Sequence, residues 1–138
     1  MSSICLDTSA YSYFKRGDTA AVSVVRRART IYVPTVVLGE LRTGFLLGNR
    51  GDVNERELRE FLDHPAVTIA DVDSATASIY ASLMVALRRN GTPVPTNDVW
   101  IGAVAMRHGA AVLTFDAHFT LIPGVEARVL PKEPGRER

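Results

Sequence analysis

The chain has 138 residues, 46% hydrophobic and 22% charged, with a formal net charge of +1. That length suits one compact domain able to bury a core without disulfides, and the near-neutral charge excludes a gross polycation. One cysteine, Cys5, rules out an internal disulfide; no run nears the ~20 apolar residues that span a bilayer, and the first residues lack a secretory pattern, so a reducing, cytoplasmic setting is expected.

Ile4-Cys5-Leu6 is a short apolar run ending at Asp7, and Thr8 and Ser9 are helix-start residues. This predicts strand, turn, helix. Residues 20–29 form a second helix, with Val22, Val24, Val25 and Ala28 inward and arginines outward. Ile31-Tyr32-Val33 is a second strand, stopped by Pro34, which opens a helix over Thr35–Leu47. A charged helix is predicted over Val53–Leu62 and a third strand over Val67–Ile69. Asp73-Ser74 caps a long helix over Ala75–Arg89, whose apolar positions Ala75, Ile79, Leu83 and Leu87 recur every four residues. Asn90-Gly91 ends it. After the loop Thr92–Thr96, Thr96 or Asn97 caps a helix running to about His108. Ala110–Thr114 is the fourth strand, Phe115-Asp116 a turn, and Val125–Leu130 the fifth strand. Residues 1–130 read as a single domain, and 131–138 as a frayed tail.

Short apolar strands separated by helices point to an α/β fold with a parallel sheet covered on both faces. Sites in such sheets form beyond the carboxyl ends of the strands. Asp7 follows the first strand and Asp116 the fourth. Asp98 opens a helix at that edge, and Glu40 lies in a helix that starts there. Each aspartate alone is explicable as a cap or turn residue. Glu40 shares its helix side with Val36, Gly44 and Leu47, and a glutamate on such a stripe needs a partner. Arg42, two positions on, points elsewhere.

The segments Cys5-Leu6-Asp7-Thr8-Ser9, Gly39-Glu40-Leu41-Arg42-Thr43-Gly44, Thr96-Asn97-Asp98-Val99-Trp100-Ile101-Gly102-Ala103 and Leu113-Thr114-Phe115-Asp116-Ala117-His118-Phe119 occur in this order. Together they resemble the PIN-domain ribonucleases, most closely the VapC-type toxins of bacterial toxin–antitoxin pairs. The resemblance covers nearly the whole chain. It departs mildly at Gly102, where the family often carries alanine. It implies a three-layer α/β/α sandwich around a mostly parallel sheet of about five strands. It assigns the acidic quartet to Asp7, Glu40, Asp98 and Asp116, with supporting polar roles for Ser9 and Thr114. It further implies endonucleolytic RNA cleavage leaving a 5′ phosphate, an antitoxin protein as partner, and a homodimer.

Clustered carboxylates repel, and their hard oxygens favour Mg²⁺ or Mn²⁺. Asp7 and Asp98 are expected to hold the main ion, with Glu40 and Asp116 completing the site. His64, His108 and His118 lack zinc-site spacing, and capping or surface roles are expected for them. The region up to Arg50 holds seven basic residues against three acidic. Lys15, Arg26, Arg27, Arg29 and Arg42 are therefore candidates for RNA phosphate contact. Tyr11 is a candidate to stack on a base; Trp100 and the methionines are expected in the core. Two rival readings remain: a receiver-type phosphoacceptor domain, and a non-catalytic binding or regulatory module of the same fold.

Overall fold

The computed structural model describes residues 2–132. Its strands are β1 (Ser3–Leu6), β2 (Thr30–Pro34), β3 (Val67–Ala70), β4 (Ala111–Thr114) and β5 (Ala127–Val129). They form one sheet in the order β3-β2-β1-β4-β5, and every neighbouring pair is parallel. Helices α1 (Thr8–Lys15), α2 (Thr19–Arg27), α3 (Thr35–Leu47), α4 (Gly51–Leu62), α5 (Ser74–Arg89) and α6 (Thr96–Arg107) flank it. The expected α/β/α sandwich is therefore the observed architecture.

Strand β1 is central and buried along Ile4, Cys5 and Leu6, with Cys5 in register with Tyr32 and Val112. From β1 the chain steps outward to β2 and β3, then returns to lay β4 on the other side of β1. In parallel sheets a crevice opens at that reversal, beyond the carboxyl ends of the two strands. The order also separates this fold from receiver domains, whose first strand lies between the second and the third. Here β1 lies between β2 and β4, and the receiver reading falls on topology.

Helix α6 packs against β1, β2 and β4, and α5 packs on α6. Val99, Ile101, Ala103, Val104 and Ala105 of α6 are all buried. Gly102 explains itself here: a Cβ at that position would lie 3.0 Å from Val125 Cγ2. The alanine common in the resembling family has no room unless Val125 gives way. Side-chain carboxylates start α1, α2 and α5, where Asp7, Asp18 and Asp73 accept from the amides of Ala10, Ala21 and Thr76.

Several local expectations shift. Neither Thr96 nor Asn97 caps α6; Pro95 holds that position without a side-chain bond, and Thr96 is the first helical residue. On α5 the buried line is Thr76, Leu83 and Leu87, while Ala75 is exposed. After Asp116 the chain forms a 3-10 turn, Ala117–Leu121, that places Phe119 fully inside. β5 is short because the Val125 amide bonds to Ile122 O in the turn through Gly124, whose φ is +77°. The edge strands are incompletely covered, and Ile69 of β3 is 45% exposed. Of the tail, residues 133–138 lie outside the described residues. No helix among the described residues is long and apolar enough to cross a membrane.

Candidate active site

The site begins at Asp7, which leaves the end of β1 and is 5% exposed. Its Oδ1 accepts from the Ala10 amide at 2.8 Å and from Ser9 Oγ at 2.8 Å. Its Oδ2 accepts from Thr114 Oγ1 at 2.5 Å. Asp7 is thus at once the cap of α1 and a buried site carboxylate. Burial pushes its pKa up, and Thr114, Ala10 and Ser9 pull against that shift.

Thr114 and Ser9 join the β1 and β4 ends into one unit. The Asp116 amide donates to Thr114 Oγ1 at 2.8 Å, and the Phe115 amide donates to Ser9 Oγ at 3.1 Å. Asp116 follows on the surface side. Burial opposes its ionisation, but the amide and imidazole of His118 hold its carboxyl below the usual range. His118 donates to Asp116 Oδ1 from its amide at 2.9 Å, and its Nδ1 lies 2.8 Å from the same oxygen.

Asp98 occupies the first turn of α6, half-buried. A helix N-terminus favours a charge there by ~0.3–1 kcal/mol. Crowding wins: burial, then Asp116, Asp7 and Glu40, push the Asp98 pKa up to about 6. The other three acids therefore all act on Asp98 at one sheet edge. Glu40 arrives from α3. Thr8 Oγ1 donates to its Oε1, and Asn97 Nδ2 donates to its Oε2 at 3.1 Å. The expected reason for its partners differs from the observed one. Gly44 and Leu47 on its side of α3 are exposed, and the buried face is Val37, Leu38 and Leu41. Glu40 sits at the rim of the crevice rather than in an apolar stripe.

One ligand atom each from Asp98, Asp116 and His118 lies within 4.8 Å of the others. His118 is on the surface, as expected, and there it pairs with Asp116. His64 does act locally, accepting the Ala66 amide on Nδ1 at 3.1 Å, and His108 stacks on Tyr32. Thr8, Asn97 and His118 are the contributors that sequence reading missed. Their only signal is adjacency, since each lies within two positions of an acid already singled out. The donor set of carboxylate oxygens with one imidazole suits Mg²⁺ or Mn²⁺, and the mutual repulsion favours a cation in their midst.

The other candidates scatter. Tyr11 is 3% exposed, edge-on to the Phe61 ring, and cannot stack on a base. Arg26, Arg27 and Arg29 lie where α2 leads into the start of β2, at the sheet edge opposite the carboxylates. Arg42 makes a two-pronged ion pair with Glu55, at 3.1 and 3.0 Å. Lys15 lies 3.9 Å from Glu57. Trp100 is only partly buried and stacks flat on Tyr80 at 3.6 Å between α5 and α6. Met106 is 37% exposed and is not core.

The PIN domain family matches residues 4–125. The chain is 36% identical over 94 residues to Ribonuclease VapC4 of Mycobacterium tuberculosis, covering 68% of this chain and 72% of that protein. It is 31% identical over 121 residues to Ribonuclease VapC5 of the same organism, covering 86% and 87%. Among solved structures it is similar to VapBC2 from Rickettsia felis bound to a DNA fragment from their promoter. That match has a TM-score of 0.82 at 22% identity and covers 93% of this chain and 98% of that one. VapC20 of Mycobacterium tuberculosis, a Sarcin-Ricin loop cleaving toxin, matches with a TM-score of 0.64 at 22% identity, covering 91% and 98%.

Proposed function

The chain belongs to the PIN domain family, with VapC ribonucleases among its relatives, and from that premise we propose a metal-dependent endoribonuclease that serves as the toxin of a toxin–antitoxin pair. One observation carries the chemistry: carboxylates from four separate segments gather at the β1–β4 crevice, where burial and the other three push Asp98 up to about 6. Carboxylates held so close are poorly explained by stability alone. The non-catalytic reading leaves that crowding without a purpose.

Asp7, Asp98 and Asp116 would hold the ion, with His118 beside Asp98 and Asp116. A divalent cation bound there supplies Lewis acidity to the scissile phosphodiester and charge balance to the leaving oxygen. The protein's own groups do the rest. Thr114 and Ser9 fix the Asp7 carboxylate in one orientation through hydrogen bonds from the end of β4 and the first turn of α1. Glu40, steadied by Thr8 and Asn97, orients the attacking water and takes its proton at Oε1 or Oε2. Residues 1–130 act as one unit. A small antitoxin protein and a second copy of the chain are its expected partners, by analogy with the VapBC assemblies that share the fold.

Incubating purified protein with RNA, with and without EDTA, tests this. Cleavage should vanish with chelation and return with Mg²⁺ or Mn²⁺, and it should be lost in Asp98→Asn. Cleavage indifferent to chelator, or undiminished in Asp98→Asn, ends the proposal.

A further inference from the structure

A second concave site opens away from the carboxylates, between α1, α3 and α4. It encloses about 390 Å³ and is lined by Ser12, Lys15, Arg16, Arg50, Asn54 and Glu57, over a floor of Tyr11, Leu41 and Phe45. Three cations face one carboxylate there. Lys15 is only loosely engaged by Glu57, at 3.9 Å. Arg16 is braced with its guanidinium 5.1 Å over the Tyr13 ring. Arg50, exposed at the start of α4, makes no ion pair among the described residues. Ser12 and Asn54 add neutral donors.

Helix α1 links this site to the acidic crevice. Thr8, which holds Glu40, lies on the same side of α1 as Ser12 and Lys15, one and two turns on. The rise from Thr8 to Lys15 is about 10 Å. A strand lying with one phosphodiester at the carboxylates therefore reaches this concavity within a short step. Charge complementarity points the same way: cations that meet the acids would neutralise the metal site, whereas cations displaced along α1 meet the next phosphates.

We propose that the α1–α3–α4 concavity is the backbone-phosphate subsite for single-stranded RNA flanking the scissile bond, with Lys15 and Arg50 as its principal contacts. This rests on the ribonuclease reading above. It also relocates the basic contacts: Arg26, Arg27 and Arg29, at the far sheet edge, take no part.

The test uses the cleavage-inactive Asp98→Asn protein and a fluorescent single-stranded RNA oligonucleotide, with binding followed across a salt series. Adding Lys15→Ala and Arg50→Ala together should weaken binding about tenfold and flatten the salt dependence by about one unit of slope or more. Lys15→Arg with Arg50→Lys should retain most of the affinity, and Arg26→Ala with Arg27→Ala should change it less than about twofold. Matched thermal midpoints confirm that each variant is folded. Unchanged RNA binding in the Lys15/Arg50 alanine pair overturns the subsite, as does an equal loss from the Arg26/Arg27 pair. Loss of binding to an acidic peptide without loss of RNA binding also overturns it, in favour of a protein partner. Cleavage by the wild-type protein is followed in parallel. If it persists while the subsite fails, the ribonuclease reading stands alone; if wild type neither binds nor cleaves RNA, both fall.

Discussion

At the residue scale, the site is governed by how four acids share one small volume. Asp98 has the sharpest consequence. A carboxyl whose folded pKa exceeds its unfolded one binds its proton more tightly in the folded chain. Its contribution to stability is therefore favourable at low pH and is lost as pH rises from about 4 to about 6. Asp98→Asn should abolish cleavage and still raise the thermal midpoint of the cation-free protein at pH 7.5. A gain of ~3 °C is expected, screened by the half-exposure of the group, and it should shrink toward pH 4. Calorimetry at the two pH values checks this; a midpoint that drops equally at both would contradict it. Thr114 makes a different argument. It is fully buried, donates to Asp7 and accepts from Asp116. Thr114→Val should cost ~1–3 kcal/mol of stability, measured by denaturant unfolding, because it strands a carboxylate oxygen and an amide at once. His118 is exposed yet adjacent to Asp98 and Asp116. Its imidazole is a borderline ligand, so His118→Ala should weaken Mn²⁺ binding more than Mg²⁺ binding, read by titration calorimetry.

At the scale of elements, α6 carries the most weight, because it supplies Asp98 and Asn97 at one end and lies buried against the sheet along its length. Its close approach depends on Gly102 beneath Val125 and Ile122. Alanine gains up to ~1 kcal/mol of helix propensity over glycine, but here a Cβ meets Val125. Gly102→Ala and Val125→Ala should therefore couple. The alanine at 102 should be more favourable by ~1 kcal/mol when Val125 has been shortened. A double-mutant cycle measures this, and strict additivity would show that Val125 yields freely. The short elements matter as well. The 3-10 turn after Asp116 anchors Phe119 in the core and so fixes where Asp116 and His118 emerge.

At the scale of the whole molecule, the crevice exists because the chain reverses direction across the sheet. β1 and β4 are far apart in sequence and adjacent in space, so the acids at their ends meet only when the sheet is complete. A cation bound among them should stabilise the folded state by mass action. Millimolar Mg²⁺ or Mn²⁺ should raise the melting midpoint of the wild type and do so much less in Asp98→Asn. Equal shifts in both proteins would place the ion elsewhere.

The five strands, the six helices in outline and the four acids at the sheet edge were legible in the sequence. Ile31-Tyr32-Val33 before a proline, and Asp73-Ser74 before a four-residue apolar repeat, are local signals with local causes. The ordered acidic segments likewise carried the family. The 3-10 turn was not legible, since five residues are too few for periodicity to register. What only tertiary structure decided is partnership. Tyr11 reads as an exposed ring until α4 brings Phe61 against it. Arg26 and Arg27 are candidates for phosphate contact by charge alone, and the parallel sheet puts them at the edge away from the carboxylates. His118 and Asn97 read as ordinary polar residues until folding sets them beside Asp116 and Glu40. The sequence by itself determined which groups carry charge and which segments fold as strand or helix, because those depend on neighbours along the chain. Which charges meet, and how strongly each shifts the others, was decided by the order of strands in the sheet, because electrostatic coupling depends on distance in space.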